Sequence, residues 1–478
     1  MNNLEQEPKI LLGLEIHITV NSQKKIFNWE NVYRGNVSPN SKVGAWELGY
    51  LGALPIINPE VVNLGLKLAS ALEMEINPIL TFDRKIYNYF DLPKGYQITQ
   101  QQFPFAINGR LPIVEENKIK KIAIRNLQIE EDTAKSSYSN EGVRLDFNRA
   151  GNPLIELVTE PVFQKIETVL IFIKQLQNLC RYLDISEAKM EQGQLRVDLN
   201  FSLRFGDNYS TPRYEIKNLN SLMNIEKSLN YEINKHRTLF LQNEKPPTSQ
   251  TLGFDEEKQI TVIHREKTNY YYLPEVNIPP IKLKKTEINQ IKKKLPKLPW
   301  IYWEELKKLD IDNANKIVNN PSLLRILNFL SKKKVLISQD IKGWNTFYLN
   351  YLSAHFGSGN DIDLFVKKWK SYNELFVYWK EKKIGNEEIK EIINFLLTTK
   401  NNFSSLIKKY EKKTIVNEEV VEEKLKSLWN NELTNKLNTD RQRVQNYLLG
   451  QIKKEFSDYP IKEIVLIINN YLNKLKIN

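Results

Sequence analysis

The apolar residues near the start of the chain alternate strictly with polar ones. Leu12, Leu14, Ile16, Ile18 and Val20 are separated by Gly13, Glu15, His17 and Thr19, a period-two pattern that predicts a half-buried β-strand. The alternation recurs in QLRVDLNFSLRF. There Leu195, Val197, Leu199, Phe201, Leu203 and Phe205 interleave with Arg196, Asp198, Asn200, Ser202 and Arg204. Each strand has one face for a core and one face of groups able to do chemistry. Between them the period changes. In IETVLIFIKQLQNLCRYL the residues Ile166, Val169, Leu170, Ile173, Leu176, Cys180 and Leu183 recur at helical spacing, which predicts an amphipathic helix. Cys180 falls on its apolar stripe and reads as core rather than as a nucleophile. The last residues predict another such helix, with Ile461, Ile464, Val465, Ile468, Leu472 and Leu475 on one face.

Turn residues divide the chain. Thirteen of the 18 glycines fall by Gly253, none lies between there and Gly343, and only three arginines follow Arg265. The first part therefore predicts a turn-rich domain of mixed helix and strand, and the remainder reads as helical. The proline-punctuated basic stretch from Ile278 to Trp300 is the boundary candidate, and a second change comes after residue 410. The expected domains are 1–294, 295–400 and 401–478.

Composition narrows the class. A chain of 478 residues with 41% hydrophobic and 26% charged residues is that of a globular protein of several domains. A net charge of +12 suits a polyanionic partner, nucleic acid foremost, and suits a lysine-rich solvated surface equally well. The single cysteine, Cys180, excludes an internal disulfide and a thiolate zinc cluster and fits a reducing compartment. No signal peptide is expected, and no apolar run approaches the roughly 20 residues of a membrane span. A cytoplasmic location without membrane attachment is the expectation.

Glu15 and His17, two apart on one strand face, stand ~7 Å apart at Cα and can converge on one metal ion. A hard cation such as Mg²⁺ would want further carboxylates. IEEDTAK offers Glu130, Glu131 and Asp132; NPLIELVTE offers Glu156 between Ile155 and Leu157, a setting in which a carboxylate needs a partner. A solvent-facing strand would explain Glu15 and His17 as well. In FDRKIYNYFDLPKGYQITQ, Lys94 stands on a Pro-Lys-Gly turn from which it could reach a phosphate. EIKNLNS crowds Glu215, Lys217, Asn218, Asn220 and Ser221 together, although Asn and Ser are also routine caps and turn formers. In DFNRAGNP a turn explains Gly151 and Pro153 but not Arg149. No Walker loop, dinucleotide fingerprint or HExxH motif is present.

Taken together, GLEIH, GALP, FDRKIYNYFDLPKGYQITQ, IEEDTAK, DFNRAGNPLIELVTEP, MEQGQLRVDLNFS and EIKNLNS strongly resemble, in order and approximate spacing, the B-subunit (GatB) family of the aspartyl/glutamyl-tRNA amidotransferases. DRQRVQNYLLGQIKKEF looks like that family's tail domain. The resemblance implies an α+β fold: an N-terminal antiparallel β-rich cradle of glutamine-synthetase-like type, followed by two all-α domains. It implies ATP-dependent amidation of Glu-tRNA(Gln) or Asp-tRNA(Asn). The side-chain carboxylate is phosphorylated and then attacked by ammonia from a partner glutaminase subunit, while a small third subunit completes a heterotrimer. It makes Glu15, His17, Glu130 and Glu156 the expected Mg²⁺ ligands, and Arg149, Lys217, Lys94 and Arg196 the expected phosphate or ester contacts. Asp198, Asn200, Glu215, Asn218, Asn220 and Ser221 become substrate-site groups, and the tail binds tRNA. Cysteines that hold zinc in some members are absent, so no zinc is expected.

The sequence departs from the family pattern at Gln128, where histidine is usual, and at Ala134. It departs also at Leu252, Asn269, Tyr271, Leu273, Val276 and Asn277, and at Ser457 to Tyr459 in the tail. Two other readings compete. One is a tRNA-binding scaffold without phosphoryl transfer. The other is a glutamine-synthetase-like ligase acting on a free amino acid, against which the long basic helical region argues.

Overall fold

A computed structural model of the protein describes residues 7–475 apart from 36, 87, 140, 207–208, 266–269, 309, 337–339, 357–361, 399–417 and 457–460. Asn269 and the stretch 457–459 lie outside the described residues. The fold is mixed α/β with one large sheet and many helices. The chain forms two compact units, Met1–Asn328 and Phe329–Asn478.

The first unit carries the strands β1 (Lys9–Thr19), β2 (Glu75–Ile76), β3 (Ile79–Leu80), β4 (Asp83–Ile86), β5 (Tyr96–Thr99), β6 (Ala106–Glu115), β7 (Lys118–Glu131), β8 (Lys135–Ser139) and β9 (Gly142–Asp146). They are followed by β10 (Pro153–Thr159), β11 (Leu195–Phe205), β12 (Tyr209–Ser210), β13 (Tyr214–Leu219), β14 (Thr251–Asp255), β15 (Ile260–Arg265), β16 (Tyr271–Pro274) and β17 (Ile281–Lys282). The large sheet runs β15-β14-β13-β11-β1-β10-β7-β6-β2, with β12 beside β11. Its pairs are antiparallel except β13 with β14.

The two alternating segments found in the sequence are its central strands. β1 lies between β10 and β11, and Leu12, Leu14, Ile16 and Ile18 are all buried. That face is covered by helices α1 (Pro59–Ala71), α2 (Ile166–Tyr182) and α3 (Leu222–Leu241), which pack against β6, β7, β11 and β13. Cys180 sits in this core, fully buried, and burial pushes its thiol up to about 12. The polar face of the sheet is met by a second, three-stranded sheet, β16-β4-β5, through contacts of β5 with β7.

The boundary between the two compact units falls at 328/329. Helices Pro299–Leu306 and Ile311–Val318 belong to the first unit, held by polar contacts with α2 and its end. Tyr182 Oη donates to Lys297 O at 2.9 Å, Asn178 Nδ2 to Asn319 Oδ1 at 3.4 Å, and Arg325 to the Arg181 carbonyl.

In the second unit Trp344 stacks on Phe376 at 4.4 Å and Phe365 on Tyr372 at 5.2 Å. Helices Glu418–Leu428, Asn431–Thr439, Arg441–Glu455 and Ile461–Lys474 share a core that includes Val421, Leu425, Val444, Leu448, Ile452, Ile464, Ile468 and Leu472. The last helix turns Ile467 and Tyr471 inward and leaves Ile461 exposed, so its buried face is rotated from the one the spacing predicts.

Candidate cation site and pocket

The register of the large sheet brings the chemistry together. Across β1, His17 pairs with Glu156 on β10 and with Arg196 on β11, while Glu15 pairs with Val158 and Asp198. On β7, Gln128 pairs with Glu156 and Glu130 with Leu154. Because directly opposed residues project to the same face, Glu15, His17, Glu156, Glu130 and Asp198 all rise from one side of the sheet. No loop positions them; the strands do.

Ligand atoms of Glu15, His17 and Glu156 lie within 4.8 Å of one another. His17 Nε2 is 3.7 Å from Glu15 Oε1 and 3.4 Å from Glu130 Oε1. Above them is a pocket of about 230 Å³, walled also by Lys85 on β4, Tyr272 on β16, Glu215 and Lys217 on β13, and Arg213.

The electrostatics follow from crowding acids in a desolvated place. Burial and then the charges of Glu156 and Asp198 push Glu15 up to about 8. Burial and Glu130, whose carboxyl also hydrogen-bonds it, push Glu156 up to about 8. Burial raises Glu130 to about 7 against the pull of Lys85. Burial lowers His17 to about 4, so its imidazole is neutral, the form that ligates metal. Burial works against the Lys85 ammonium, but Glu130, Tyr272, Glu156 and Glu15 outweigh it and raise its pKa. Burial likewise opposes Lys217, yet Asp198 at 3.0 Å and Glu215 at 2.8 Å hold it firmly charged. Three carboxylates and a neutral imidazole that disfavour their own charges form a donor set suited to a hard divalent ion.

Other residues singled out in the sequence lie elsewhere. Lys94 does not line the pocket. Its ammonium is held by both oxygens of Glu131, at 2.6 and 2.7 Å, with Trp46's ring 4.2 Å away. Glu131 follows Glu130 on β7, so strand alternation turns it to the other side; Lys94 forms a buried ion pair with it. Arg149 donates to the carbonyls of Thr133 and Ala134, both at 2.9 Å, and lines a separate cavity of about 400 Å³.

Arg196 stands beside His17 in register but donates to Asp132 Oδ1 at 3.0 Å. Asn218 serves through its backbone, whose N–H donates to Asp198 Oδ1 at 2.8 Å from a left-handed φ of 58°. Asn220 is exposed and accepts from Asn224 Nδ2 at 3.2 Å. Ser221 caps α3, accepting from the Asn224 N–H at 3.0 Å. Of the six expected substrate-site groups, Glu215 alone walls the pocket, Asp198 supports Lys217, and Asn200 lines an adjoining cavity.

Lys85 was missed, although it sits in the same stretch as Lys94. A lysine two residues after Asp83 in a short strand was the available signal, but only the packing of β4 over the large sheet aims it at the carboxylates. Gln128, noted as a departure, lines the pocket with its Oε1 fixed by the Thr99 hydroxyl at 3.0 Å.

This sheet-borne acid cluster with a basic wall belongs to a recognised class of domain: the family model of the GatB/GatE catalytic domain matches residues 10–289. The likeness extends over nearly the whole chain. The B subunit of the aspartyl/glutamyl-tRNA(Asn/Gln) amidotransferase of Mycoplasmopsis agalactiae is 36% identical over 471 residues, 95% of each chain. The proteins of the same description from Mycoplasma mobile and Ureaplasma urealyticum are 35% and 33% identical, over 93% and 94% of this chain and 94% and 95% of their own. The chain belongs to the B-subunit family of the aspartyl/glutamyl-tRNA(Asn/Gln) amidotransferases. Among the described residues no helix is long and apolar enough to cross a membrane.

Proposed function

We propose that the protein is the amide-forming subunit of a glutamine-dependent aminoacyl-tRNA amidotransferase. It would convert Glu-tRNA(Gln), Asp-tRNA(Asn) or both to the amide forms at the expense of ATP. The observation that carries this reading is the convergence of Glu15, His17, Glu156 and Glu130 under Lys85 and Lys217 in one pocket. The relatives, named as the B subunit of such an enzyme, supply the substrate class.

The chemistry has two steps. A carboxylate oxygen of the aminoacyl side chain takes the γ-phosphoryl group of ATP, releasing ADP; ammonia then attacks the carbonyl carbon, phosphate leaves, and a proton is lost. Glu15, His17, Glu130 and Glu156 would hold Mg²⁺, which when bound offsets charge on the phosphates. Lys85 stands over the acids, where its ammonium would meet phosphoryl or carboxylate oxygens. Asp198 and Glu215 hold Lys217 at the wall, and its ammonium would orient the anionic substrate. The β16-β4-β5 sheet, which supplies Lys85 and Tyr272 to the pocket, would limit access of water, which would otherwise hydrolyse an acyl phosphate. A glutaminase subunit would deliver the ammonia and a small third subunit would complete the assembly, which would act in the cytoplasm. The helical second unit, with its tail, would bind the tRNA.

Single-turnover ATP hydrolysis tests the reading. In the presence of misacylated tRNA and both partner subunits, phosphate release should depend on the aminoacylated form and be followed by amide formation. A well-assembled complex that binds tRNA but gives neither product would leave the scaffold reading in its place.

A further inference from the structure

The basic stretch marked in the sequence as a boundary lies inside the first unit, and the cation pocket draws nothing from it. From Ile281 to Lys297 seven lysines stand against one acid, Glu287, so these 17 residues carry half of the chain's net charge of +12. They form β17 and, after it, a helix, α4 (Lys285–Lys294).

α4 packs against α1, yet none of its residues is fully buried. Ile288, Ile291 and, just past the helix end, Leu295 are half-buried. Gln290, Ile291, Lys294 and Leu295 border a cavity shared with Val62 and Leu66 of α1. Lys285, Asn289, Lys292 and Lys293 are all exposed. They recur at i, i+4, i+7 and i+8 and so form one stripe. At 1.5 Å per residue the stripe is about 12 Å long, and exposed Lys282 and Lys284 precede it.

Helix electrostatics explain only part of this. Lys292, Lys293 and Lys294 complement the negative end of the helix dipole, but Lys282, Lys284 and Lys285 crowd its positive end, where acids are favoured. Glu287 is used in the cap: it accepts from the Lys284 N–H at 3.4 Å, with the Lys284 ammonium 3.7 Å away. Lys297 pairs with Glu305. Lys282, Lys285, Lys292, Lys293 and Lys294 make no ion pair or side-chain hydrogen bond with any described residue. A row of like charges on one ordered element is thus left for a polyanion to offset. The stripe holds no aromatic ring on which an unpaired base could stack, so it suits the phosphate backbone of a duplex rather than a single strand.

We infer that the outer face of α4, with Lys282 and Lys284, is a platform in the first unit for the phosphate backbone of duplex RNA. The inference rests on the proposed function, under which that duplex belongs to the tRNA substrate, and it adds a contact separate from the tail. The platform reads charge and not sequence. It is therefore blind to the amino acid carried and holds acylated and free tRNA alike.

The test uses the chain assembled with its two partner subunits. Lys285→Gln, Lys292→Gln and Lys293→Gln combined should fold, since all three positions are exposed; thermal unfolding checks this, and Lys282→Gln with Lys285→Gln is the second variant. The triple variant should bind acylated and free tRNA at least about tenfold more weakly. Its plot of log affinity against log salt should be shallower by about two to three. The Michaelis constant for aminoacyl-tRNA should rise in step, while that for ATP and kcat stay within twofold. Arginine at the same three positions should restore both affinity and slope. Affinity and slope both unchanged would overturn the inference and leave a solvated surface; so would weaker binding with an unaltered slope. Loss of subunit assembly with tRNA affinity intact would also overturn it and make α4 a protein-binding face. A wild-type assembly that binds tRNA but forms no amide would instead sink the proposed function, and the same salt titration with free tRNA would still judge the platform.

Discussion

Glu156 lies directly across the β1–β10 ladder from His17, and neither residue could meet the other without that register. A shift of one residue would send Glu156 to the apolar face and Leu157 to the cation site. Replacement of Glu156 by glutamine keeps the volume and removes the charge. Amide formation should fall by at least about 100-fold while tRNA affinity stays within twofold, as filter binding beside single-turnover assays will show. Equal loss of both would place Glu156 in tRNA binding.

His17→Ala removes the neutral imidazole, a proposed ligand, from the same cluster. The Mg²⁺ concentration for half-maximal activity should rise by about 10–100-fold, with the rate largely recovered at saturating Mg²⁺. An unchanged Mg²⁺ titration would show that the imidazole is no ligand.

The carboxylates predict a pH dependence with a definite sign. Glu15 and Glu156 are pushed up to about 8 and Glu130 to about 7, chiefly by burial and then by neighbouring charges. Without a cation the folded chain holds these protons where the unfolded chain, with ordinary carboxylates, has lost them. The metal-free protein therefore loses stability as pH rises from about 4.5 to about 8. A bound cation reverses the preference and must expel protons, so Mg²⁺ affinity should climb between about pH 6.5 and 8.5. Calorimetry in two buffers of different ionisation enthalpy will register the released protons; buffer-independent heats would contradict the scheme.

Ser221, expected at the substrate site, is the N-cap of α3. Ser221→Ala should cost about 1 kcal/mol of stability with kcat and both Michaelis constants unaltered, and Ser221→Asp should restore it. A change in KM without a change in denaturation midpoint would return Ser221 to the site.

The tail helices share a core of their own. Deleting residues 401–478 should weaken tRNA binding strongly, and the fall of log affinity with log salt should become shallower, because phosphate contacts are lost. An unaltered affinity and slope would remove the tail from tRNA recognition.

Several parts of this protein were legible in the chain before any coordinates. Period-two alternation marked β1 and β11 because a sheet buried on one face repeats every second residue, and the spacing from Ile166 to Leu183 marked α2 in the same way. The metal candidates were legible because acids among aliphatic residues, as Glu156 between Ile155 and Leu157, need a reason to be there. Local pattern could not say which of two neighbouring acids, Glu130 or Glu131, faces the pocket. Nor could it say that Lys85 rather than Lys94 reaches it, or that Ser221 is spent on a cap. Those choices depend on strand register and on the packing of one sheet over another. They are set by contacts between residues a hundred or more apart, as between His17 and Glu156. The sequence by itself determined which faces were apolar and which chemical groups were on hand. Only the tertiary structure decided which of them share one desolvated pocket, because direction and distance there are properties of the assembled sheet and not of any single strand.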